Sequence, residues 1–175
     1  EWHEEIFKEA KKNKLSFFSS PFDETAVDFL EKIGCQAYKI ASPEINHIPL
    51  IERISKTKKP VILSTGLANY SEIKKAVSIL RKNNSNKIII LKCCSSYPAD
   101  YEELNLLTIK DIKKKFKTLS GFSDHTIGSI APITSVALGG KMVEKHFIFN
   151  QKVKTVDNFF SSGPIQFKEM VGQIR

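Results

Sequence analysis

The chain has 175 residues, of which 41% are hydrophobic and 26% charged, and its 27 basic and 19 acidic side chains give a formal net charge of +8. These values are ordinary for a soluble globular domain with a hydrophobic core, and no apolar run reaches the roughly 18 residues of a membrane-spanning helix. The lysines cluster on presumed helix faces without interleaved aromatic residues, which argues against a nucleic-acid interface and leaves an anionic small molecule as a partner class.

The first residue and the cysteines bear on two questions, whether the chain is part of a longer protein and which cellular compartment it occupies. It begins with Glu1 and not with Met, and residues 1–14 have the pattern of a helix body, so we expect it to start inside a longer protein. The cysteines Cys35, Cys93 and Cys94 form no C-x-x-C motif, so neither a disulfide framework nor a zinc knuckle is expected. No signal peptide opens the chain. We therefore expect a cytoplasmic protein without a membrane partner.

Short β-rich apolar runs alternate with amphipathic stretches along the chain. Residues 23–33 and 71–82 carry apolar side chains at the i, i+3, i+4, i+7 spacing of a helix, and residues 127–138 form a more apolar stretch rich in small residues. Asp23 is a predicted N-cap and Gly34 a predicted helix stop. The predicted strands are 15–19, 37–42, 60–64, 87–93, 118–122 and 141–147.

This alternation predicts an α/β fold with parallel strands, either a doubly wound open sheet or a closed (β/α)₈ barrel. No G-x-G-x-x-G or P-loop follows any predicted strand, so the marks of nucleotide-binding sheets are missing. Polar residues instead follow every strand, at the end where a TIM barrel places its active site. We therefore expect residues 1–175 to be one partial TIM (β/α)₈-type barrel domain with about six βα units, the missing units lying upstream.

One lysine and several hydroxyls lie at the ends of the predicted strands. A lysine supplies a point charge and serine hydroxyls donate to phosphate oxygens. A single serine at such a place is more often a helix N-cap, but the agreement of several strand ends favours an anion site. The residues predicted to line it are Lys39, Ser42, Ser64 and Ser123.

Two histidines, His125 and His146, follow consecutive predicted strands. By the two-residue period of a strand, Ser123 lies on the face of His125, and Glu144 lies on the face of His146. Imidazoles on neighbouring strands could hold one divalent cation, with open positions for water, a carboxylate or substrate. The alternative, two hydrogen-bonded structural histidines, stays open.

Several of these strand-end segments resemble the sialic acid synthase family, which includes the N-acetylneuraminate, legionaminic acid and pseudaminic acid synthases. The resemblance runs from about Phe17 to the C-terminus, and residues 155–158 ahead of residues 167–170 are most similar to the pseudaminic acid branch. The segments that carry it are Lys39-Ile40-Ala41-Ser42-Pro43-Glu44, Leu63-Ser64-Thr65-Gly66, Tyr97-Pro98-Ala99, Gly121-Phe122-Ser123-Asp124-His125-Thr126 and Glu144-Lys145-His146-Phe147.

The resemblance implies a transferase that condenses phosphoenolpyruvate with an N-acylated amino sugar to a sialic-type acid with release of phosphate. It implies Mn²⁺ or Mg²⁺ bound by His125 and His146, and Glu44, Lys39 and Asp157 as catalytic residues. The substrate-binding residues that it implies are Ser20, Lys39, Ser42, Ser64, Ser95, Tyr97, Ser123 and Asp157. Ser95 stands where the neuraminate synthases carry Asn.

The resemblance further implies parts that this chain lacks: the start of the barrel and a C-terminal antifreeze-like domain that reaches the active site of a partner subunit. We therefore expect the full-length protein to be a homodimer. Three alternatives to a pseudaminic acid synthase remain. The first is an N-acetylneuraminate or legionaminic acid synthase. The second is a different barrel enzyme for a phosphorylated substrate, such as a Schiff-base aldolase with Lys39 or Lys145 as the nucleophile. The third is an inactive barrel fragment.

Overall fold

The computed structural model describes residues 2–83 and 87–175, which form two compact units. The first unit comprises residues 1–63 and 68–88, and the second comprises residues 64–67 and 89–175. Within the described ranges, no helix is both long and apolar enough to cross a membrane. Glu1, the first residue of the predicted N-terminal helix, lies outside the described residues.

The first unit alternates helices and strands, as predicted. Its helices are α1 (Trp2–Lys12), α2 (Glu24–Lys32), α3 (Ile48–Lys56) and α4 (Tyr70–Lys82). Its strand β1 (Tyr38–Ile40) runs into a 3₁₀ turn at Ser42–Asn46, and strand β2 (Val61–Ser64) ends in the second unit.

Local sequence signals explain where the helices of the first unit begin and end. The Asp23 carboxylate accepts the N–H of Ala26 at 2.7 Å and caps α2, and Gly34 with φ +80° follows its end, as predicted. Asn69 and Glu72 form a reciprocal capping box at the start of α4. The predicted apolar stripe of α4 is buried, together with Ile79. In α2 the prediction is only partly right, because Leu30 is buried as expected but Val27 takes the second buried position and Phe29 is exposed.

The second unit continues the alternation. It contains most of β3 (Ile88–Cys93), then α5 (Thr108–Phe116), β4 (Leu119–Asp124), α6 (Ile130–Ala137), β5 (Val143–Lys145) and α7 (Pro164–Ile174). The helix predicted over 127–138 begins only at Ile130, because Gly128 adopts φ +86° and makes a turn before it.

The strand pairings within each unit are parallel, as the alternation predicted. Within the first unit β1 pairs with β2, and within the second β3 pairs with β4 and β4 with β5. The strand order β1-β2-β3-β4-β5 follows the chain. A Cβ on Gly121 would lie 2.2 Å from the Met142 carbonyl oxygen, so this position of β4 requires glycine.

One predicted strand is wrong. Residues 15–19 form no strand, and Ser19 alone makes a parallel bridge to Tyr38. The Leu15 side chain is 67% exposed, and its N–H donates to the Ala10 carbonyl at the end of α1. This segment is therefore the tail of a helix over part of its length, and only its last residue reaches β1.

Candidate active site

The two predicted metal ligands face each other at the ends of β4 and β5. The register pairs Ser123 with Glu144 and Asp124 with Lys145, so His125 and His146 come next on both strands. Their ring centroids lie 5.3 Å apart and their planes meet at 72°. The structure thus brings these two histidines together, as the two-residue period predicted.

His125 is 5% exposed and its ring orientation is fixed by the backbone. Its Nδ1 lies 2.7 Å from the carbonyl oxygen of Cys94. Because a carbonyl oxygen only accepts, Nδ1 carries the hydrogen and Nε2 of the neutral ring keeps the lone pair. A backbone carbonyl in this role is a common outer partner of a metal-binding histidine.

His146 is partly buried, and its pKa is lowered from the ordinary value of 6.5. Burial is the largest cause, and the neighbouring His125 lowers the pKa further, whereas Asp157 and Glu144 raise it. The Asp157 Oδ2 atom lies 3.5 Å from Nδ1 of His146. At neutral pH the ring of His146 is therefore uncharged, which is the form that binds a metal ion.

Aromatic rings surround the histidine pair. Tyr97 lies 4.2 Å from His125 between ring centroids, and Phe160 lies 4.8 Å from His146. Burial raises the pKa of Tyr97, with further contributions from Cys93, Asp157 and Glu144, so its hydroxyl stays protonated at neutral pH. Sequence reasoning included Tyr97 but missed Phe160, since a phenylalanine in a loop carries no pattern that places it beside a histidine.

Ser123 and Glu144 form a hydrogen-bonded pair on the strand residues that precede the histidines by two. The Ser123 hydroxyl donates to Oε1 of Glu144 at 2.8 Å. Glu144 was not among the predicted site residues, although the period that places it on the face of His146 could have identified it. The structure therefore adds a carboxylate to this site, and Ser123 has an internal partner besides any anion.

Two other predicted residues of the second unit, Ser64 and Ser95, differ in their surroundings. Ser64 ends β2 with its side chain buried, and within the described part of the chain its hydroxyl has no hydrogen-bond partner. An orphaned buried hydroxyl calls for an explanation, and a bound ligand is one, although the hydroxyls of Thr118, Ser120 and Thr126 are orphaned in the same way within that part of the chain. The neighbouring Thr65 instead donates to the Leu91 carbonyl at 2.9 Å and has a structural role. Ser95 lies partly buried in the loop after β3.

The first unit holds four predicted residues near the C-terminal end of β1. Lys39 lies in the strand and is 8% exposed, and Ser42, also buried, begins the following turn. Oε2 of Glu44 is buried without a hydrogen-bond partner among residues 2–83 and 87–175. The Ser20 hydroxyl donates to the Lys39 carbonyl oxygen at 3.2 Å, which gives this serine a structural partner.

The donor set of the second unit fits a divalent cation only in part. Among the residues that the structure describes, no group of three or more His, Cys, Asp or Glu side chains could hold a metal ion. The two imidazoles nevertheless fit one, because His125 presents Nε2 and His146 is neutral. Two protein ligands would leave the other positions to water and substrate.

One of the two lysines that could serve a Schiff-base aldolase, Lys145, finds no support in this geometry. A Schiff-base aldolase needs a neutral lysine with an available amine. The Nζ atom of Lys145 donates to Oδ2 of Asp124 at 2.5 Å and to the Thr126 carbonyl at 2.8 Å, and both side chains of this ion pair are buried. Lys145 is therefore held as a structural cation.

Comparison with known proteins identifies the family of the chain. It is 46% identical over 175 residues to the pseudaminic acid synthase of Helicobacter pylori, covering 100% of this chain and 52% of that protein. It is 39% identical to the N,N'-diacetyllegionaminic acid synthase of Campylobacter jejuni, covering 99% of this chain and 52% of that protein. The chain thus spans about half the length of the curated relatives it matches.

A solved structure supports the same grouping. The crystal structure of N-acetylneuraminic acid (sialic acid) synthetase from Leptospira borgpetersenii serovar Hardjo-bovis, in complex with citrate, matches with a TM-score of 0.95 at 35% identity. The match covers 98% of this chain and 60% of that chain, and confirms the predicted fold class, a part of a TIM-type α/β barrel. The model of the NeuB family matches residues 1–175, so the chain belongs to the NeuB family of sialic-type acid synthases.

Proposed function

We propose that the protein to which this chain belongs condenses phosphoenolpyruvate with an N-acylated amino sugar and releases phosphate, and that its product is pseudaminic acid. The observation that carries the proposal is the facing pair of His125 and His146 in a chain that matches its family over its whole length. Identity to the Helicobacter pylori pseudaminic acid synthase, 46%, exceeds the 39% to the Campylobacter jejuni legionaminic acid synthase, which favours this product.

In this reaction C3 of phosphoenolpyruvate forms a bond to the aldehyde carbon of the open-chain sugar. Water adds at C2, and phosphate leaves as the C–O bond breaks. A divalent cation, Mn²⁺ or Mg²⁺, held by His125 and His146 would supply a Lewis acid for the sugar aldehyde. The two rings are suited to that role, because His125 is oriented by the Cys94 carbonyl and His146 is kept neutral by burial.

The other site residues would bind substrate and hold protons. Lys39 is a buried cation suited to the phosphate of phosphoenolpyruvate. The hydroxyl of Ser64 has no hydrogen-bond partner among the described residues, and a phosphate oxygen would supply one. Glu44 has a buried carboxylate oxygen without a partner among the described residues, which suits a group that exchanges a proton with water or with the sugar oxygen. Asp157 and Tyr97 lie beside the histidines and are assigned to sugar hydroxyls.

The proposal is tested with the full-length protein. Phosphate release from phosphoenolpyruvate is measured with the amino sugar precursors of pseudaminic, legionaminic and neuraminic acids, and each product is identified by mass spectrometry. We expect turnover that is lost after chelation and restored by Mn²⁺. Turnover with the legionaminic or neuraminic precursor alone would show that the product is not pseudaminic acid. If none of the three precursors gives phosphate release, the synthase activity is refuted.

Lys39→Ala separates the two substrates. Because the charged hydrogen bond to phosphate is lost, we expect KM for phosphoenolpyruvate to rise by about 10- to 100-fold while KM for the sugar changes little. Lys56→Ala, which removes an exposed lysine of α3, is the control. Equal effects of Lys39→Ala on both substrates would contradict the assignment.

A further inference from the structure

Asp124 and Lys145 form an ion pair inside the second unit. Their charged atoms lie 2.5 Å apart, and the two side chains are 0% and 2% exposed. The pair joins adjacent positions of β4 and β5, and by strand periodicity it lies on the face opposite Ser123 and His125. These two charges therefore do not line the active site that the histidines form.

The contacts of this pair close a ring around the backbone of His125. Lys145 donates a second hydrogen bond to the Thr126 carbonyl at 2.8 Å. The Thr126 N–H donates to Oδ1 of Asp124 at 2.9 Å. Both neighbours of His125 are thus bonded to one another and to Lys145, the residue directly before His146.

The hydrogen bonds of Asp124, Lys145 and Thr126 lie at the end of the strand pair, directly before the two histidines. The described β4–β5 register ends at Asp124 and Lys145, so both histidines lie one residue beyond it. Strand ends fray when no further bond holds them. Here the carbonyl of His125 accepts the Ala99 N–H at 3.0 Å and that of His146 accepts the Ser162 N–H at 2.9 Å, and Lys145 joins the two ends to each other through Asp124 and Thr126. The two imidazoles, 5.3 Å apart, lie directly beyond this link.

We propose that Asp124, Lys145 and Thr126 form a positioning clamp that sets the separation of His125 and His146. Through that separation the clamp sets the affinity of the histidine pair for a divalent cation; this second step rests on the proposed function. A buried ion pair is not needed for stability alone, since apolar side chains of similar volume often serve as well. Directional bonds to both backbone groups of Thr126, the residue directly after His125, are what an apolar pair cannot supply.

The test uses full-length protein and two clamp variants. Lys145→Met removes the cation, and Asp124→Asn combined with Lys145→Met removes both charges, so that no unpaired charge stays buried and folding is retained. The control is Lys59→Met, because Lys59 likewise donates to a carboxylate, that of Glu31 at 2.5 Å, and to a carbonyl, that of Cys35 at 2.6 Å, in the first unit. Mn²⁺ affinity is measured by calorimetric titration and the ring separation by crystallography.

We expect both clamp variants to bind Mn²⁺ about 10- to 100-fold more weakly, as loss of outer partners of metal ligands commonly does, and Lys59→Met to bind as the wild type. We expect the separation of the two rings to change in the double variant. A folded double variant with unchanged Mn²⁺ affinity would overturn the proposal.

The metal site and the clamp fail in different ways. If wild type and His125→Ala take up Mn²⁺ equally, the assigned metal site is wrong, and the crystal structures then decide the clamp. In that case an unchanged separation of the His125 and His146 rings in the double variant would overturn the proposed clamp.

Discussion

Burial, and not charge, is the main cause of the lowered pKa of His146, and Phe160 contributes to that burial. The Phe160 ring is itself buried, and its centroid lies 4.8 Å from that of His146. The facing groups act in both directions: His125 and Lys145 lower the pKa, and Asp157 and Glu144 raise it. Removing the ring while keeping these charges should therefore isolate the effect of solvent exclusion.

Phe160→Ala should raise the pKa of His146 toward its ordinary value of 6.5, because water then reaches the imidazole and stabilises its charged form. The measurement is an NMR titration of the His146 ring protons in metal-free full-length protein. Phe159→Ala, which removes the exposed neighbouring ring, is the matched control and should leave that titration unchanged. An unaltered or lower pKa in Phe160→Ala would show that burial by this ring is not the cause.

The residue scale also shows where sequence reasoning about the site succeeds and where it stops. His125 and His146 could be paired from the sequence because the two-residue period and consecutive strands bring them together. Phe160 could not, since its contact with Tyr97 joins residues whose proximity is set by tertiary packing. Glu144 lay within reach of the same period argument and was overlooked.

At the scale of single elements, local chemistry fixes the ends of the helices. Asn69 accepts the N–H groups of Ser71 and Glu72, and the Glu72 carboxylate accepts the N–H of Asn69. Signals of this kind span a few residues, which is why α2 and α4 could be predicted from the sequence. The strand expected at 15–19 depends instead on a distant partner, and the sequence gives no local signal for that pairing.

Asn69→Ala should lower the free energy of unfolding by about 1 kcal/mol, because two N–H groups at the start of α4 lose their acceptor. The measurement is urea denaturation followed by circular dichroism. Ser78→Ala, at an exposed position within the same helix, is the control and should be neutral or slightly stabilising. A loss in Ser78→Ala as large as that in Asn69→Ala would point to an effect of the whole helix and not of the cap.

A second element-scale prediction concerns pH. Burial raises the pKa of Glu31, but hydrogen bonds from Lys59 and Tyr38 outweigh it and hold the pKa below its ordinary value of 4.5. A carboxyl group with a lowered folded-state pKa stabilises the fold above its unfolded pKa, and this stabilisation is lost as pH falls through the folded value.

Glu31→Gln should therefore lose stability at about pH 6 and show a smaller further loss than the wild type between about pH 5 and pH 3. Urea denaturation at several pH values measures this difference. Glu52→Gln, at an exposed position of α3, is the control. Parallel curves for wild type and Glu31→Gln across that range would contradict the prediction.

At the scale of the whole molecule, the chain matches its family over all of its residues yet spans about half of its curated relatives. The alternation of strands and helices was enough to predict parallel strands, because such strands require crossover helices, and the polar residues at the strand ends then favoured a barrel over an open sheet. The particular sugar was not predictable in the same way, since a specificity pocket depends on a few side chains from distant segments.

We expect the 175-residue chain, expressed alone, to show no phosphate release under conditions in which the full-length protein turns over. The physical reason is that a barrel active site draws side chains from many strands, and the described part of this chain forms five. Circular dichroism and size-exclusion chromatography of the isolated chain are the control for folding. Turnover by the isolated chain at the full-length rate would show that its own residues suffice.

The close approach of the chain at Gly121 lies in the same strand that carries His125 at its end. Its backbone lies so close to Met142 that a Cβ there would meet the Met142 carbonyl oxygen at 2.2 Å. His125 lies four residues along the strand, about 13 Å away at the rise of a β-strand. A side chain at Gly121 would push β4 away from Met142 at one end of the strand pair whose other end carries the two imidazoles. Its effect on the site would have to pass through three paired positions, Phe122 with Val143, Ser123 with Glu144 and Asp124 with Lys145.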